Sequence, residues 1–426
     1  MTNFQKLYIK KRTLPEALTI FIFAMPFLLP TFLQLFSLPG VLKYTIDVAW
    51  VLGCIILFFR KNVTLPRKLA PLVTFVVVYF LFEFVVYLFN FQSIIYFLWG
   101  ARNNFRFYAA VILFATFFER DDIKTLFKFL DLVFWINFAT ILVQFFVFDY
   151  DGDRLGGIFG VEVGSNGSTL IFLTIMLAKK ILEFMNGKIS TMHCFVMCAI
   201  MMAIAALSEI KVFFIICVLI VVLAAILTKF SWRKVLLVCG VFLLIYIISS
   251  LLPLLFGASS NISFGRIIEL VISKSYSTGK DLGRFTAIPI ISRRFLTEWP
   301  QRLFGLGLGN CDTSSFAICN TPFFKAHQNL HYDWFSSAFI YLEMGFVGLL
   351  LNLGFYGICA GRAGKNLKNN MGDIVLNQLA LIMAILCVAI VFYNSSLRSE
   401  AGCMAYFVLA LPYVFAQEDD ENKIFN

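Results

Sequence analysis

Charge is what this chain has least of. Asp, Glu, Lys and Arg supply 14% of its 426 residues, while apolar types supply 60%. Soluble proteins carry roughly 25% charged and 45–50% apolar residues, so an ordinary soluble domain is excluded. Histidine occurs three times and no Cys-x-x-Cys is present, so the ligand spacing of a structural metal site is missing. No internal repeat stands out, which removes the main sequence sign of an inverted-repeat transporter. The first apolar run, 17–36, is followed by Phe36-Ser-Leu-Pro39 and not by a small-x-small cleavage site; it is expected to be a retained helix and not a signal peptide.

What the chain does have is long apolar runs, rich in phenylalanine (51 copies). At about 20 residues per crossing, hydropathy predicts about twelve spans, over 17–36, 41–59, 71–90, 105–118, 129–148, 167–183, 192–208, 212–228, 235–256, 334–358, 374–393 and 401–416. The fourth is short, and a start nearer Phe91, as a broken or re-entrant piece, is the alternative. The expected architecture is an all-α polytopic membrane protein: spans 1–9 within 1–256, an outer segment 257–333, spans 10–12 within 334–416, and an acidic, frayed tail 417–426.

The net charge of +10 is distributed as a topology signal and does not call for nucleic acid. Lys and Arg cluster in alternate loops, at Arg60 to Lys68, Arg120 to Lys128, Lys179 to Lys188, Lys229 to Lys234 and Arg362 to Lys368. By the positive-inside rule those loops and both termini are expected in the cytoplasm. The long segment 257–333 then lies outside, where long loops are exempt from that rule. Within it, Ile262 to Tyr276 and Phe285 to Trp299 have helical spacing, with Ile288, Ile291 and Phe295 on one stripe, which predicts helices lying along the membrane face. Most of the ten cysteines fall inside spans and behave as small apolar residues; Cys311 and Cys319 share the outer segment, where an oxidising exterior permits a disulfide.

The candidate chemistry sits on that outer face. Arg154 lies in Asp151-Gly-Asp-Arg-Leu-Gly-Gly-Ile-Phe159, and Arg284 in Gly283-Arg-Phe285, with Arg293, Arg294 and Arg302 following. Guanidinium groups fork onto phosphate oxygens, and flanking glycines let a ligand approach the backbone; the competing reading is an interfacial arginine reaching for water. His327 and His331 precede a helix opening at Trp334, and Asp333 is placed to cap that helix or to orient a histidine. An imidazole titrates near neutrality and can take a proton from a sugar hydroxyl. Glu83, Glu209, Lys211 and Glu343 lie in or beside spans, where ionisable groups usually face the bundle interior; Glu209 and Lys211 bracket one turn and can pair. The Gly305-x-Gly307-x-Gly309 run lacks the strand and helix context of a nucleotide loop.

Taken in order, Arg154-Leu-Gly-Gly-Ile-Phe159, Gly283-Arg284, Gly305 to Gly309, the histidine pair and Glu343-x-Gly345-x-x-Gly348 resemble the pattern of the Wzy-like O-antigen polymerases and the O-antigen ligases. The matching motifs cover 151–164 and 283–348; the usual Ser-Arg after the seventh span is replaced by Ser208-Glu209-Ile-Lys211. The spacing from His331 to Gly345 is slightly long, which leaves His327 and His331 interchangeable. The resemblance implies a C-type glycosyltransferase-like bundle in a bacterial inner membrane that polymerises undecaprenyl-diphosphate-linked repeat units at the periplasmic face and needs no bound nucleotide; no cofactor is expected, and the sequence offers no clear metal site. It implies that Arg154, Arg284 and Arg294 hold the diphosphate, that His331 or His327 acts with Asp333 on the acceptor, and that Glu209, Lys211 and Glu343 support them. Membrane lipid and a chain-length regulator are the expected partners. A ligase moving glycan to lipid A-core, and a flippase or transporter of lipid-linked glycan, are the competing functions.

Overall fold

The computed structural model describes residues 12–59, 66–229, 231–256, 281–314 and 316–424. Among them every regular element is a helix. In chain order these are α1 (Leu14–Leu35), α2 (Thr45–Phe59), α3 (Ala70–Asn90), α4 (Ile94–Phe117), α5 (Arg120–Phe146), α6 (Asn166–Met185), α7 (Thr191–Leu207), α8 (Val212–Leu227) and α9 (Trp232–Phe256). After the undescribed 257–280 come three short helices, α10 (Ala287–Arg294), α11 (Trp299–Phe304) and α12 (Pro322–His327). The chain closes with α13 (Ser336–Lys368), α14 (Ile374–Tyr393) and α15 (Cys403–Ile424).

Among the described residues six helical stretches are long and apolar enough to cross a membrane: Leu14–Leu35, Gly40–Phe59, Arg67–Asn90, Arg120–Phe146, Ser336–Lys368 and Ile374–Tyr393. Shorter apolar helices accompany them at Thr191–Leu207, Val212–Leu227 and Glu400–Val414. The pattern along α3 shows what kind of environment they need. It buries Leu72, Val76, Tyr79, Glu83 and Val86 on one stripe, yet exposes Val77, Val78, Leu81, Phe84, Val85 and Leu88 on the other side. A helix apolar on its solvent-facing side as well as its packed side is adapted to lipid.

Sequence chemistry sets the helix ends. At α1, the Thr13 amide donates to Glu16 and Pro15 occupies the first turn; at α5, the Glu119 amide donates to Asp122 at 3.0 Å. Both are reciprocal N-terminal caps. Ser190 and Asp373 accept the amides of His193 and Leu376 and so start α7 and α14. Helices α4, α6, α13, α14 and α15 form the densely packed centre, with α13 against α14 and α4 against α15. Phenylalanines fill it: the Phe23 ring lies 4.6 Å from Phe407 and 5.7 Å from Phe27, centroid to centroid, and Phe114 stacks on Phe118 at 5.3 Å. Such pairs contribute about 0.5–1.5 kcal/mol each beyond area burial.

Four expectations change. The fourth apolar run extends back to Ile94, and α4 is one continuous helix of 24 residues. Its early polar residues are not a loop: Arg106 is buried, donating to Asp47 at 3.5 Å, to Glu400 at 3.3 Å and to the Arg398 carbonyl at 3.0 Å, while Arg102 also pairs with Asp47. Of the stripe, Ile288 and Ile291 belong to α10, which stops at Arg294 with Phe295 as its C-cap, and Glu298, Pro300 and Gln301 start a new helix, α11. Asp333 does not cap α13; it lies in a 3₁₀ turn, Tyr332–Trp334, and Phe335 holds the cap position. The backbone of the acidic tail continues α15 to Ile424 instead of fraying at Gln417. The expected helix Ile262 to Tyr276 lies outside the described residues.

Segment 281–335 forms a second small core. Leu282, Ala287, Ile291, Leu296, Cys311, Leu330, Tyr332 and Phe335 pack onto Phe339 and Leu342 of α13. Cys311 and Cys319 are free thiols, so the disulfide is not formed. Polar side chains close this loop instead: Asn320 accepts the Ser314 amide at 2.7 Å, and the Thr321 hydroxyl donates to the Asp312 carbonyl at 3.2 Å.

Candidate active site

The glycine run is explained by close backbone docking. The amides of Leu306 and Gly307 donate to the carbonyls of Leu342 (3.0 Å) and Glu343 (2.8 Å). Those carbonyls are released because Gly345, at φ 64°, breaks the α13 ladder. A Cβ on Gly305 would stand 2.2 Å from the Glu343 carbonyl oxygen, and one on Gly309 would stand 1.9 Å from that of Tyr96. The loop therefore wedges between the α13 break and the start of α4, with Gln92 donating to the Leu308 carbonyl at 2.6 Å. The Cys311 amide donates to Glu343 at 3.0 Å, making that buried carboxylate an anchor for the loop.

The loop after α5 is fixed in a similar way. Gln144 exchanges two hydrogen bonds of 2.8 Å with Gly157, Asn137 accepts the Ile158 amide at 3.0 Å, and Thr31 of α1 donates to the Ile158 carbonyl at 2.6 Å. This clamp sets the position of Asp153, whose carboxylate accepts from Asn166 at 2.7 Å. Asn166 also donates to the Ser208 carbonyl at 3.1 Å, joining the turn that carries Glu209.

A cavity of about 410 Å³ opens where these pieces meet. One wall holds Arg284, Trp334 and Tyr393; the other holds Asp153, Asn166 and Glu209; Ser396 and Ser399 close one side. Arg284 is buried, donates from Nε to the Tyr393 carbonyl at 3.2 Å, and lies 4.3 Å from the centroid of the Tyr393 ring. These contacts orient the guanidinium plane. The opposite wall is anionic, with Glu209 partly balanced by Lys211 at 3.9 Å. Such a cavity has a cationic side suited to phosphate oxygens and a carboxylate side suited to hydroxyl groups.

The structure separates the two histidines. His331, at φ 50°, stacks on Trp334 with centroids 4.0 Å apart and planes 16° apart, so it abuts the cavity through that ring. His327 is wedged between Phe295 (4.9 Å) and Phe323 (4.7 Å) and does not line the cavity. Asp333 is half-buried beside His331; burial pushes its carboxyl above the usual range, and Arg398 and His331 offset part of that rise. Arg154 is exposed, and its neighbour Asp153 lines the cavity in its place. Arg294 is exposed too, set against the Phe295 ring at 5.4 Å. Glu343 is fully buried beneath the glycine loop, away from the cavity wall.

The α14–α15 connection was not singled out by sequence reasoning. It runs Tyr393-Asn-Ser-Ser-Leu-Arg-Ser-Glu400, and its polarity between two apolar runs, interrupted only by Leu397, is the signal that could have found it. The Asn394 carbonyl accepts the Ser336 amide at 3.2 Å, tying this turn to the start of α13. Arg398 lies over the Phe339 ring at 3.4 Å. Its charge also opposes the rise that burial causes at Asp312, as does the amide of Asn103.

Among the described residues no group of three or more His, Cys, Asp or Glu is placed to hold a metal ion. No protein-family model and no curated protein matches the chain. The class defined by the described residues is a helical protein with several membrane-length apolar helices and a polar cavity where 281–335 meets the bundle.

Proposed function

We propose that this protein is a membrane-embedded glycosyltransferase that polymerises undecaprenyl-diphosphate-linked oligosaccharide units into a surface polysaccharide. In this reading the chain crosses a bacterial inner membrane about twelve times, keeps both termini in the cytoplasm and opens the Arg284 cavity to the periplasm. The observation that carries it is the convergence of Arg284, the Asp153–Arg154 loop, Glu209 and the Trp334–His331 stack on one cavity. Arg284 neutralises charge that grows on the lipid diphosphate as the glycosidic bond breaks. The acceptor hydroxyl loses its proton to His331, with Asp333 orienting the ring. His327, held between two phenylalanines, serves packing, and the exposed Arg154 and Arg294 serve as outer phosphate contacts.

The test is complementation of a strain lacking the gene. The null strain should show single repeat units on lipid A-core; long glycan stranded on undecaprenyl diphosphate with bare core would mean a ligase instead. Arg284→Ala should insert normally yet fail to restore long chains, with a loss of at least about 100-fold, the usual cost of removing one preorganised charge-stabilising donor. Near-normal chain length in that variant would overturn the role given to Arg284.

A transporter of lipid-linked glycan is the second reading, favoured by one feature. Glu83 and Glu343 are both fully buried, and both Glu83 oxygens lack a hydrogen-bond partner among the described residues, beside a helix broken at Gly345. Buried ionisable groups at broken helices mark coupling-ion sites in transporters. Against it, the carbonyls freed at Leu342 and Glu343 are already taken by the glycine loop. Collapsing the proton gradient should stop a coupled transporter and spare transfer from a preformed lipid donor.

A further inference from the structure

Halfway along α3 stands a carboxyl that the Arg284 cavity does not use. Glu83 is fully buried on the stripe that packs against α13 and α4. Its carboxyl rests on α13 at a point where that helix carries no side chain: a Cβ on Gly348 would stand 3.1 Å from Glu83 Oε1. The Tyr79 hydroxyl, one turn earlier on α3, donates to the Gly348 carbonyl at 3.0 Å and so is spent there. Five residues before Gly348, Glu343 is also fully buried, and its Oε1 accepts the Cys311 amide at 3.0 Å.

Charge balance sets this place apart. Arg106, Lys179 and Lys180 are buried too, but each has a carboxylate within ion-pair distance. Glu83 has no such counterion: both of its oxygens, and Oε2 of Glu343, lack a hydrogen-bond partner among the described residues. The elements packed around it bring no positive charge to it. Helix α3 supplies Tyr79, α4 supplies Tyr108, whose hydroxyl accepts from Asn352, and α13 supplies Glu343, which repels Glu83. Helix α11 meets α3 through the Phe304 and Phe82 rings, yet its Arg302 is turned to the Leu296 carbonyl. Arg67 and Lys68, before the start of α3, stand roughly 20 Å away along the helix. Arg398 acts on Glu343, as does Asp312 with the opposite sign.

A carboxylate without a counterion is strongly disfavoured in such surroundings, and the group is neutralised instead. We propose that Glu83 and Glu343 form a proton-binding site, in which Glu83 holds the proton as a neutral carboxylic acid and Glu343 stays an anion. The partners decide which member carries it. Glu343 accepts an amide and has the charge of Arg398 on its side; Glu83 has neither. The proton also bears on the outer segment. Glu343 ties the glycine loop to the α13 break through its side chain and its carbonyl, and a second negative charge at Glu83 would act against that anchor. The site is therefore a resident part of the docking, whether the protein transfers glycan or moves it.

Infrared spectra of the full chain in nanodiscs at neutral pH read this proton directly, since a carboxylic acid has a carbonyl stretch that a carboxylate lacks. Subtracting the spectrum of Glu83→Gln from that of the wild type removes the bands common to both, any from Asp312 and Asp333 included. The difference should contain a carboxylic-acid band, and Glu343→Gln should retain that band. Glutamine keeps the shape and the neutrality, so Glu83→Gln should melt within about 2 °C of the wild type, equally in sodium and in choline buffers. A difference without a carboxylic-acid band overturns the site. A band lost from Glu343→Gln and kept in Glu83→Gln overturns the assignment to Glu83. A wild type stabilised by sodium over choline, with Glu83→Gln indifferent to both, overturns the proton in favour of an ionised Glu83 holding a metal cation.

Discussion

Arg284 and Arg106 are both buried arginines, and they meet different demands. Arg284 faces a cavity and is oriented by a ring and a carbonyl; Arg106 ties α4 to Asp47 of α2 and to Glu400. Removing the Arg106 guanidinium leaves two poorly hydrated carboxylates short of charge, although Arg102 still reaches Asp47. Arg106→Ala should therefore lower stability in detergent by about 3 kcal/mol, read from the thermal midpoint, and Arg106→Lys should recover little because one ammonium cannot span three acceptors. Asp312 and Asp333 give a second prediction. Burial pushes both carboxyls up, so the folded loop holds a proton that the unfolded chain releases. Their contribution to stability is greatest below the ordinary carboxylate range and is lost as pH rises from there through the raised folded values. Hydrogen-exchange protection over 306–335, corrected for intrinsic rate, should fall as pH rises toward neutrality, and Asp312→Asn should flatten that slope.

Among the elements, the Gly305–Gly309 loop and the α13 break act as one unit. Each satisfies backbone groups that the other leaves open, as buried peptide groups require. Gly309→Ala places a methyl 1.9 Å from the Tyr96 carbonyl oxygen at φ 83° and should cost about 2–4 kcal/mol from overlap and strain together. Gly361 in the same α13 meets nothing within 4 Å, so Gly361→Ala should stabilise by about 0.5–1 kcal/mol through helix propensity. The contrast between two glycine substitutions in one thermal-melt series checks the docking. Helix α4 makes a related point: its polar first half is legible as polar in sequence, but its burial comes from α2, the α14–α15 turn and Asp312 closing around it.

At the scale of the whole molecule α6 and α14 run from the Arg284 cavity to the opposite end of the bundle, where Lys179 and Asp373 lie, and the topology proposed above puts these two ends on opposite sides of the membrane. An impermeant thiol reagent on intact spheroplasts should modify Lys325→Cys, on the 281–335 segment that also carries Arg284, and spare Lys124→Cys, near the start of α5, until the membrane is permeabilised. The reverse pattern would invert the topology. Equal labelling at both positions would remove the sidedness on which the periplasmic assignment of the Arg284 cavity depends.

Local chemistry was readable directly. Apolar run length set the membrane-length helices, because a bilayer fixes how much chain must be apolar; the caps at Thr13, Glu119, Ser190 and Asp373 set helix starts that run length alone did not mark, as at α5, which begins at Arg120 and not at 129. Arg284 was legible as a candidate because a charge beside glycines in an apolar chain is rare. Three things were decided by contacts between residues distant in the chain. His331 meets the cavity and His327 does not, since a stack on Trp334 and a wedge between Phe295 and Phe323 separate two residues four apart. Asp153 takes the wall position expected of Arg154, because the Gln144 and Asn137 clamp fixes how the loop turns. Cys311 and Cys319 remain apart, because Asn320 and Thr321 close the loop with hydrogen bonds. Spacing along a chain determines which helix or turn forms, whereas the direction of a side chain in a loop is set by whatever packs against it.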